Sequence, residues 1–330
     1  MNPKVLKLLK KAIYPMIAIV MIIWVYNTIH PEKVVKELKG ANYLWVGLAA
    51  LAGLFSHFIR AVRWKLLIEP LGYKARVKTG FYAVMVGYTV NYVTPRMGEV
   101  ARCALMNKTD NIPIDKLVGT VFIERVFDVI VTLIITLIAV FLQYELISEF
   151  LENIFAVSGS GLNYKIILLM SLAVIGVAGI LVYRWIKKRD NNPPFLVKIL
   201  GFIGGLLEGA KSIFKLKKPW LFLFYTLTIW LMYFLVSYIV FFALTGTSHL
   251  GLDAAVTTLI VATIAVIIPL PGGIGSFHKL VPLGLVLYGI DIDLGTSYAF
   301  ISHGSQMLMI FIVGGISMLL VGFEQKKLAE

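Results

Sequence analysis

Charge is what this chain has least of. Only 15% of its residues are Asp, Glu, Lys or Arg, against 59% hydrophobic residues and a mean hydropathy of +0.85. Ordinary globular domains carry about a quarter charged residues, so a water-soluble fold would have no surface to show. Its one cysteine, Cys103, excludes an intramolecular disulfide, and no Cys/His grouping has metal-ligand spacing. The motifs G-x-x-x-x-G-K-[ST], H-E-x-x-H and G-x-S-x-G are missing, so neither ATP hydrolysis nor common hydrolase chemistry is signalled. No cofactor and no metal are expected, and the chain is not read as an enzyme. The net charge of +13 would suggest nucleic acid in a soluble protein. Here the basic residues sit in short clusters between apolar runs, the pattern of positive-inside anchoring, and nucleic-acid binding is not indicated.

What is abundant is long apolar sequence. Runs at 12–29, 43–62, 118–142, 165–186, 219–244 and 294–322 are each long enough to cross a bilayer. The first follows Lys4, Lys7, Lys10 and Lys11 like a signal peptide, but no small-residue cleavage site follows it, so it counts as a span. Two shorter runs, 79–94 and 253–270, stop at Pro95 and at Pro269 and Pro271, and read as half-helices. The pattern over 195–216 predicts an amphipathic interfacial helix.

Orientation follows from the basic clusters. Arg60, Arg63, Lys65, Lys74, Arg76 and Lys78 belong inside, as do Lys187, Lys188, Arg189 and Lys211, whereas 143–164 holds Glu145, Glu149 and Glu152 with no Lys or Arg and belongs outside. Both termini are then cytoplasmic. For 118–142 to run outward, the chain from 79 to 117 must enter and return, and the segment 253–290 must do the same from the other side. Pro95 precedes Gly119 by 24 residues and Pro271 precedes Gly295 by 24, a shared offset of 176. The fold expected is an all-α membrane protein in one domain, 1–330. It is a bundle of six full spans plus two re-entrant helical hairpins, arranged as an inverted-topology repeat of approximately 1–145 and 165–322.

Three constellations carry the candidate chemistry. In N-Y-V-T-P-R-M-G-E-V-A-R, Pro95 disfavours helix at Thr94, and a helix restarting beyond it would aim free N–H groups at an anion beside Arg96, near Asn91 and Gly98. Glu99, three residues from both Arg96 and Arg102, is placed to pair with either. Inside the span 118–142, Glu124 and Asp128 share a face, with Arg125 three residues from Asp128. Glu124 lies roughly 9 Å along that helix, where an ionisable group is costly unless paired. A structural cluster tying this span to Arg96 or Arg102 stands beside direct substrate contact. In P-L-P-G-G-I-G-S-F-H-K, Gly272, Gly273 and Gly275 permit positive φ and close backbone approach to an anion. His278 and His303 are candidate proton carriers or interhelical hydrogen-bond partners. Arg60 and Arg63 with Trp64 read first as snorkelling interfacial anchors and second as lipid-phosphate contacts.

The order R-x-x-R-W-x-x-L-L (Arg60 to Leu67), P-R-M-G-E-V-A-R (Pro95 to Arg102), E-R-V-F-D (Glu124 to Asp128) and P-L-P-G-G-I-G (Pro269 to Gly275) resembles the lysylphosphatidylglycerol synthase transmembrane-region family over nearly the whole chain. The resemblance implies a lipid flippase of the kind fused to aminoacyl-phosphatidylglycerol synthases, or a stand-alone member tied to polyprenyl-phosphate glycan pathways. With Glu330 directly after the last run, the aminoacyl-transferase domain and synthase activity are not expected. Where the family often has an acidic residue after P-G-G-I-G, this chain has His278.

The reading is a flippase or scramblase in the cell (inner/cytoplasmic) membrane for an anionic phospholipid or polyprenyl-phosphate-linked lipid. Its phosphate is expected in a central cavity between the hairpins, held by Arg96, Arg102, Arg125 and tip N–H groups. Glu99, Glu124 and Asp128 would orient the arginines or bind a coupling proton. Alternatives are a secondary transporter of a small anionic solute, or an integral membrane enzyme acting on lipid phosphates. Expected partners are anionic membrane lipids, with a homo-oligomer or a separate synthase or glycosyltransferase left open.

Overall fold

The computed structural model describes residues 30–145 and 216–329, all helix, turn and irregular chain with no strand among them. The expected spans at 12–29 and 165–186 and most of the amphipathic segment 195–216 lie outside the described residues. Helix α1 is Pro31–Gly40, α2 Tyr43–Ile68, α3 Val77–Val93, α4 Gly98–Asp110 and α5 Ile114–Leu142. After the undescribed segment come α6 Pro219–Phe241, α7 Leu252–Ile267, α8 Ser276–Val286 and α9 Ile292–Ala329.

Four of these helices, α2, α5, α6 and α9, are long and apolar enough to cross a membrane. They match the expected runs at 43–62, 118–142, 219–244 and 294–322. Their polarity is inverted relative to a soluble bundle. On α5 the outer face is bare Phe122, Val129, Leu133, Leu137, Ile138 and Phe141, while Thr120, Glu124 and Asp128 point inward and are buried. Apolar residues meeting lipid, with the ionisable ones turned to the protein interior, is the arrangement a bilayer imposes.

Local sequence sets the helix limits. Pro31 and Pro219 open α1 and α6 at the first turn, where a missing N–H costs nothing. Helix α3 stops at Val93 because Pro95 forces Thr94 to extended backbone, with φ −134° and ψ 107°. The chain then turns through Arg96 at φ 63° before α4 starts. Helix α7 stops at Ile267, and the chain reverses through Pro271, Gly272 and Gly273 before α8.

Two helical hairpins result, α3–α4 and α7–α8. The first is packed tightly enough that a Cβ on Gly98 would collide with the Gly87 carbonyl oxygen. The larger apolar core is built mainly from the second half with Ala49 of α2 joining it, and another is built from the first half. Trp64, Cys103, Met106, Ile112 and Leu117 knit α2 to α5, and Phe241, Val281, Leu285 and Tyr298 knit α6 to α9. The open end of the first hairpin is closed by Asp110, which accepts bonds from the Arg76 backbone N–H at 3.0 Å and its Nη2 at 2.7 Å, next to the start of α5. The open end of the second lies at the opposite end of α5, where Gln143 Nε2 donates to the Asp253 carbonyl at 3.0 Å and Tyr288 Oη donates to Gln143 Oε1 at 2.7 Å.

The tips meet. Arg96 Nη2 donates to the Ile267 carbonyl at 3.4 Å, and the Tyr92 ring lies on Gly272, where any Cβ would run into it. The central cavity expected between the hairpins is therefore not open in this structure, because the two tips are in direct contact.

The candidate anion site

The ionisable residues gather beside the first hairpin rather than between the tips. Helix α2 brings Arg60 and Arg63, α4 brings Glu99 and Arg102, and α5 brings Glu124, Arg125 and Asp128. Asp128 Oδ2 accepts from Arg60 Nη1 at 3.0 Å and from Arg125 Nη1 at 3.5 Å, and its Oδ1 accepts from Arg63 Nη2 at 3.1 Å. Glu124 Oε1 accepts from Arg63 Nη2 at 3.4 Å, and its Oε2 accepts a short bond from Arg102 Nη2. Arg125 Nη2 donates to Glu99 Oε1 at 2.8 Å.

Helix α6 completes the set. Arg60 Nη2 donates to Tyr233 Oη at 3.0 Å and Arg63 Nη1 to Thr226 Oγ1 at 3.0 Å. Arg102 lies 4.5 Å over the Trp64 ring, which a hydrogen bond from Trp64 Nε1 to Thr120 Oγ1 at 2.8 Å holds in place. Trp is the most favourable ring for a desolvated guanidinium. Among the described residues, four guanidiniums thus face three carboxylates, one positive charge in excess. The Nε–H groups of Arg60, Arg63 and Arg102 are buried with no hydrogen-bond partner among the described residues.

Arg60 and Arg63 do not snorkel to an interface as their first reading had it. They are 2% and 0% exposed, because Asp128 and Glu124 one helix away neutralise them and α6 covers them. Glu99 pairs with neither Arg96 nor Arg102. Arg96 lies in the turn before α4 begins, so helical spacing does not apply to it, and Arg102 is turned toward Glu124 and Trp64. The expected link from α5 to Arg102 is present, as is the Arg125–Asp128 pair. Arg96 itself is exposed at the tip, apart from the cluster.

Asn91 is occupied by the hairpin: its Oδ1 accepts the first helical N–H of α4, from Gly98, at 2.7 Å. Thr94 caps α3 through its own N–H to the Val90 carbonyl at 2.7 Å. At the second tip, the Gly273 and Ile274 N–H groups bond within the turn, to Leu270 and Pro271 carbonyls at 3.1 and 3.0 Å, and the Gly275 N–H faces His278 Nδ1 at 3.5 Å. The N–H groups of Gly273 and Gly275 are thus engaged inside the turn instead of being presented to an anion. Gly272, at φ 57°, serves the contact with Tyr92. His303 Nε2 is 2.9 Å from the Gly272 carbonyl and its ring stacks on Phe277 at 4.8 Å, so it and His278 brace the tip.

A cavity of about 10 Å³, roughly one water in size, opens beside the cluster and is lined by Tyr88, Asn91, Gly98, Glu99, Arg102 and Arg125. Sequence reasoning did not single out Tyr88, Tyr233, Thr226 or His57, whose ring lies 4.3 Å from that of Tyr88. Thr226 and Tyr233, seven residues apart, share one face of α6, and that spacing was the available signal.

The profile of the lysylphosphatidylglycerol synthase TM region matches residues 11–314. The chain belongs to this family. A UPF0104 membrane protein of Methanocaldococcus jannaschii is 26% identical over 98% of both chains. A UPF0104 membrane protein of Pyrococcus horikoshii is 23% identical over 87% of this chain and 90% of its own length. The glycosyltransferase AglD of Haloferax volcanii is 32% identical over 105 residues, which is 31% of this chain and 16% of that protein. No solved structure gives a significant match. The helices and these similarities together establish a multi-pass membrane protein of the lysylphosphatidylglycerol synthase TM family, and the family points to a membrane lipid-related function.

Proposed function

We propose that this protein is a membrane lipid translocase, a flippase or scramblase. It would bind the phosphate of an anionic phospholipid or a polyprenyl-phosphate-linked lipid at the arginine cluster of the first hairpin. The observation that carries the reading is a cluster with one surplus positive charge, bordering a cavity, among helices whose outer faces are apolar. Charge held at membrane depth is expensive and marks pathways for polar cargo, and guanidinium is the side chain best matched to phosphate. The two hairpins, open toward opposite ends of α5 with touching tips, support the re-entrant, inverted-repeat arrangement; six full spans and cytoplasmic termini rest on the apolar runs and basic clusters of the sequence. In this reading the structure is the closed form. The small cavity between α3, α4 and α5 would widen to admit a headgroup while the acyl chains stay in lipid. The segment similar to a glycosyltransferase keeps lipid-linked sugar phosphates among the candidate cargoes.

Native mass spectrometry of lipids retained after mild purification tests the reading. A repeatedly enriched anionic lipid, depleted in Arg125→Ala, is the expected result. Retention of zwitterionic lipids alone, unchanged in that variant, would refute it.

A further inference from the structure

The four arginines of the cluster are not equivalent. Arg60, Arg63 and Arg102 are at most 4% exposed and fixed by carboxylates that are themselves buried. The Arg125 side chain is 43% exposed and its partner Glu99 31%, and both line the cavity. Arg102 also borders the cavity but is 4% exposed, so Arg125 is the guanidinium of the cluster most open to a ligand, and Glu99 sits on it at 2.8 Å. The pair joins two helices, α4 and α5, so it depends on how the hairpin lies and not on local spacing.

We propose that Glu99 is an internal anion occupying the seat that a lipid phosphate takes on Arg125, so that substrate binding is an exchange of one anion for another. This rests on the translocase reading and adds which residue receives the phosphate and which one resists it. The charge count fits a monoanionic phosphate diester. One such group would cancel the single positive charge in excess, leaving Glu99 to swing into the cavity without itself becoming neutral. A fork of two N–H groups prefers the tetrahedral, multiply accepting phosphate to a single carboxylate oxygen, which gives the exchange its direction. In the resting state the carboxylate keeps Arg125 from retaining other anions.

Binding of dihexanoyl phosphatidylglycerol and, separately, of inorganic phosphate to the detergent-solubilised full chain tests this. Glu99→Gln should tighten the short-chain lipid about fivefold, the worth of a half-exposed ion pair, and Glu99→Ala should act in the same direction. Arg125→Gln should abolish binding, and Glu69→Gln, which removes an equal charge beside Lys65, should leave affinity unchanged. Unchanged or weaker binding in both Glu99 variants, with wild-type binding intact, overturns the exchange and leaves the translocase reading standing. Inorganic phosphate binding as tightly as the lipid, and tightened equally by Glu99→Gln, upholds the exchange but overturns lipid as its cargo.

Discussion

The contact between the hairpin tips can be broken at one residue. In Gly272→Ala, the backbone at φ 57° costs an L residue about 1–2 kcal/mol. The new methyl also meets the Tyr92 ring. That ring is hemmed in by Phe311 at 5.3 Å and His303 at 6.0 Å between ring centroids, so it cannot swing away freely, and overpacking adds about 1–3 kcal/mol. The total expected loss is about 2–5 kcal/mol. Removing Tyr92 should relieve the second part but not the first. Unfolding in mixed micelles, titrated with sodium dodecyl sulfate, gives the free energies for wild type, Gly272→Ala, Tyr92→Ala and the double variant. In the Tyr92→Ala background the glycine substitution should cost only about 1–2 kcal/mol, a coupling within the range seen for touching residues. An equal cost in both backgrounds would refute the tip-to-tip contact.

Glu124→Gln should destabilise by about 3–5 kcal/mol, since it strips a fully buried partner from Arg63 and Arg102. Glu99→Gln, half-exposed, should cost under about 1 kcal/mol in the same titration, and equal costs would contradict the layering of the cluster. Lys116→Cys and Ser248→Cys, at opposite ends of the bundle and both exposed, should react with an impermeant maleimide from opposite sides of the membrane. The native Cys103, 0% exposed, should stay silent; reaction of both introduced cysteines from one side would sink the topology.

Four of the expected spans and both helix breaks were legible because proline and long apolar runs act locally. Pro95 ended α3 at Val93, and Pro269 and Pro271 bounded the break after α7, as their missing N–H and fixed φ require. That charge gathers around Glu124 and Asp128 was legible too, since an ionisable group inside a span must find a partner. Which partner it finds was not. Glu99 reaches Arg125 across to α5, and Arg60 and Arg63 are buried by α6, from more than 160 residues further along the chain. Helix-local spacing carries no information about such pairs. The glycines of the second tip were read through their freedom to approach an anion. Their N–H groups turn out to bond inside the turn, and the freedom at Gly272 is used by Tyr92. A sequence shows that a glycine is needed, not which neighbour needs the room.

Translocation in proteoliposomes tests the central claim most directly. Fluorescent phosphatidylglycerol is placed in both leaflets and the outer leaflet is bleached with dithionite. Wild-type protein should let the bleaching reach the inner-leaflet pool. Arg125→Ala, shown to be folded, should confine bleaching to the outer leaflet as in protein-free vesicles. Arg125→Lys should recover only part of the rate, because it keeps the charge and loses the fork. Bleaching of the inner pool at the wild-type rate by Arg125→Ala would contradict the assignment of phosphate binding to this cluster.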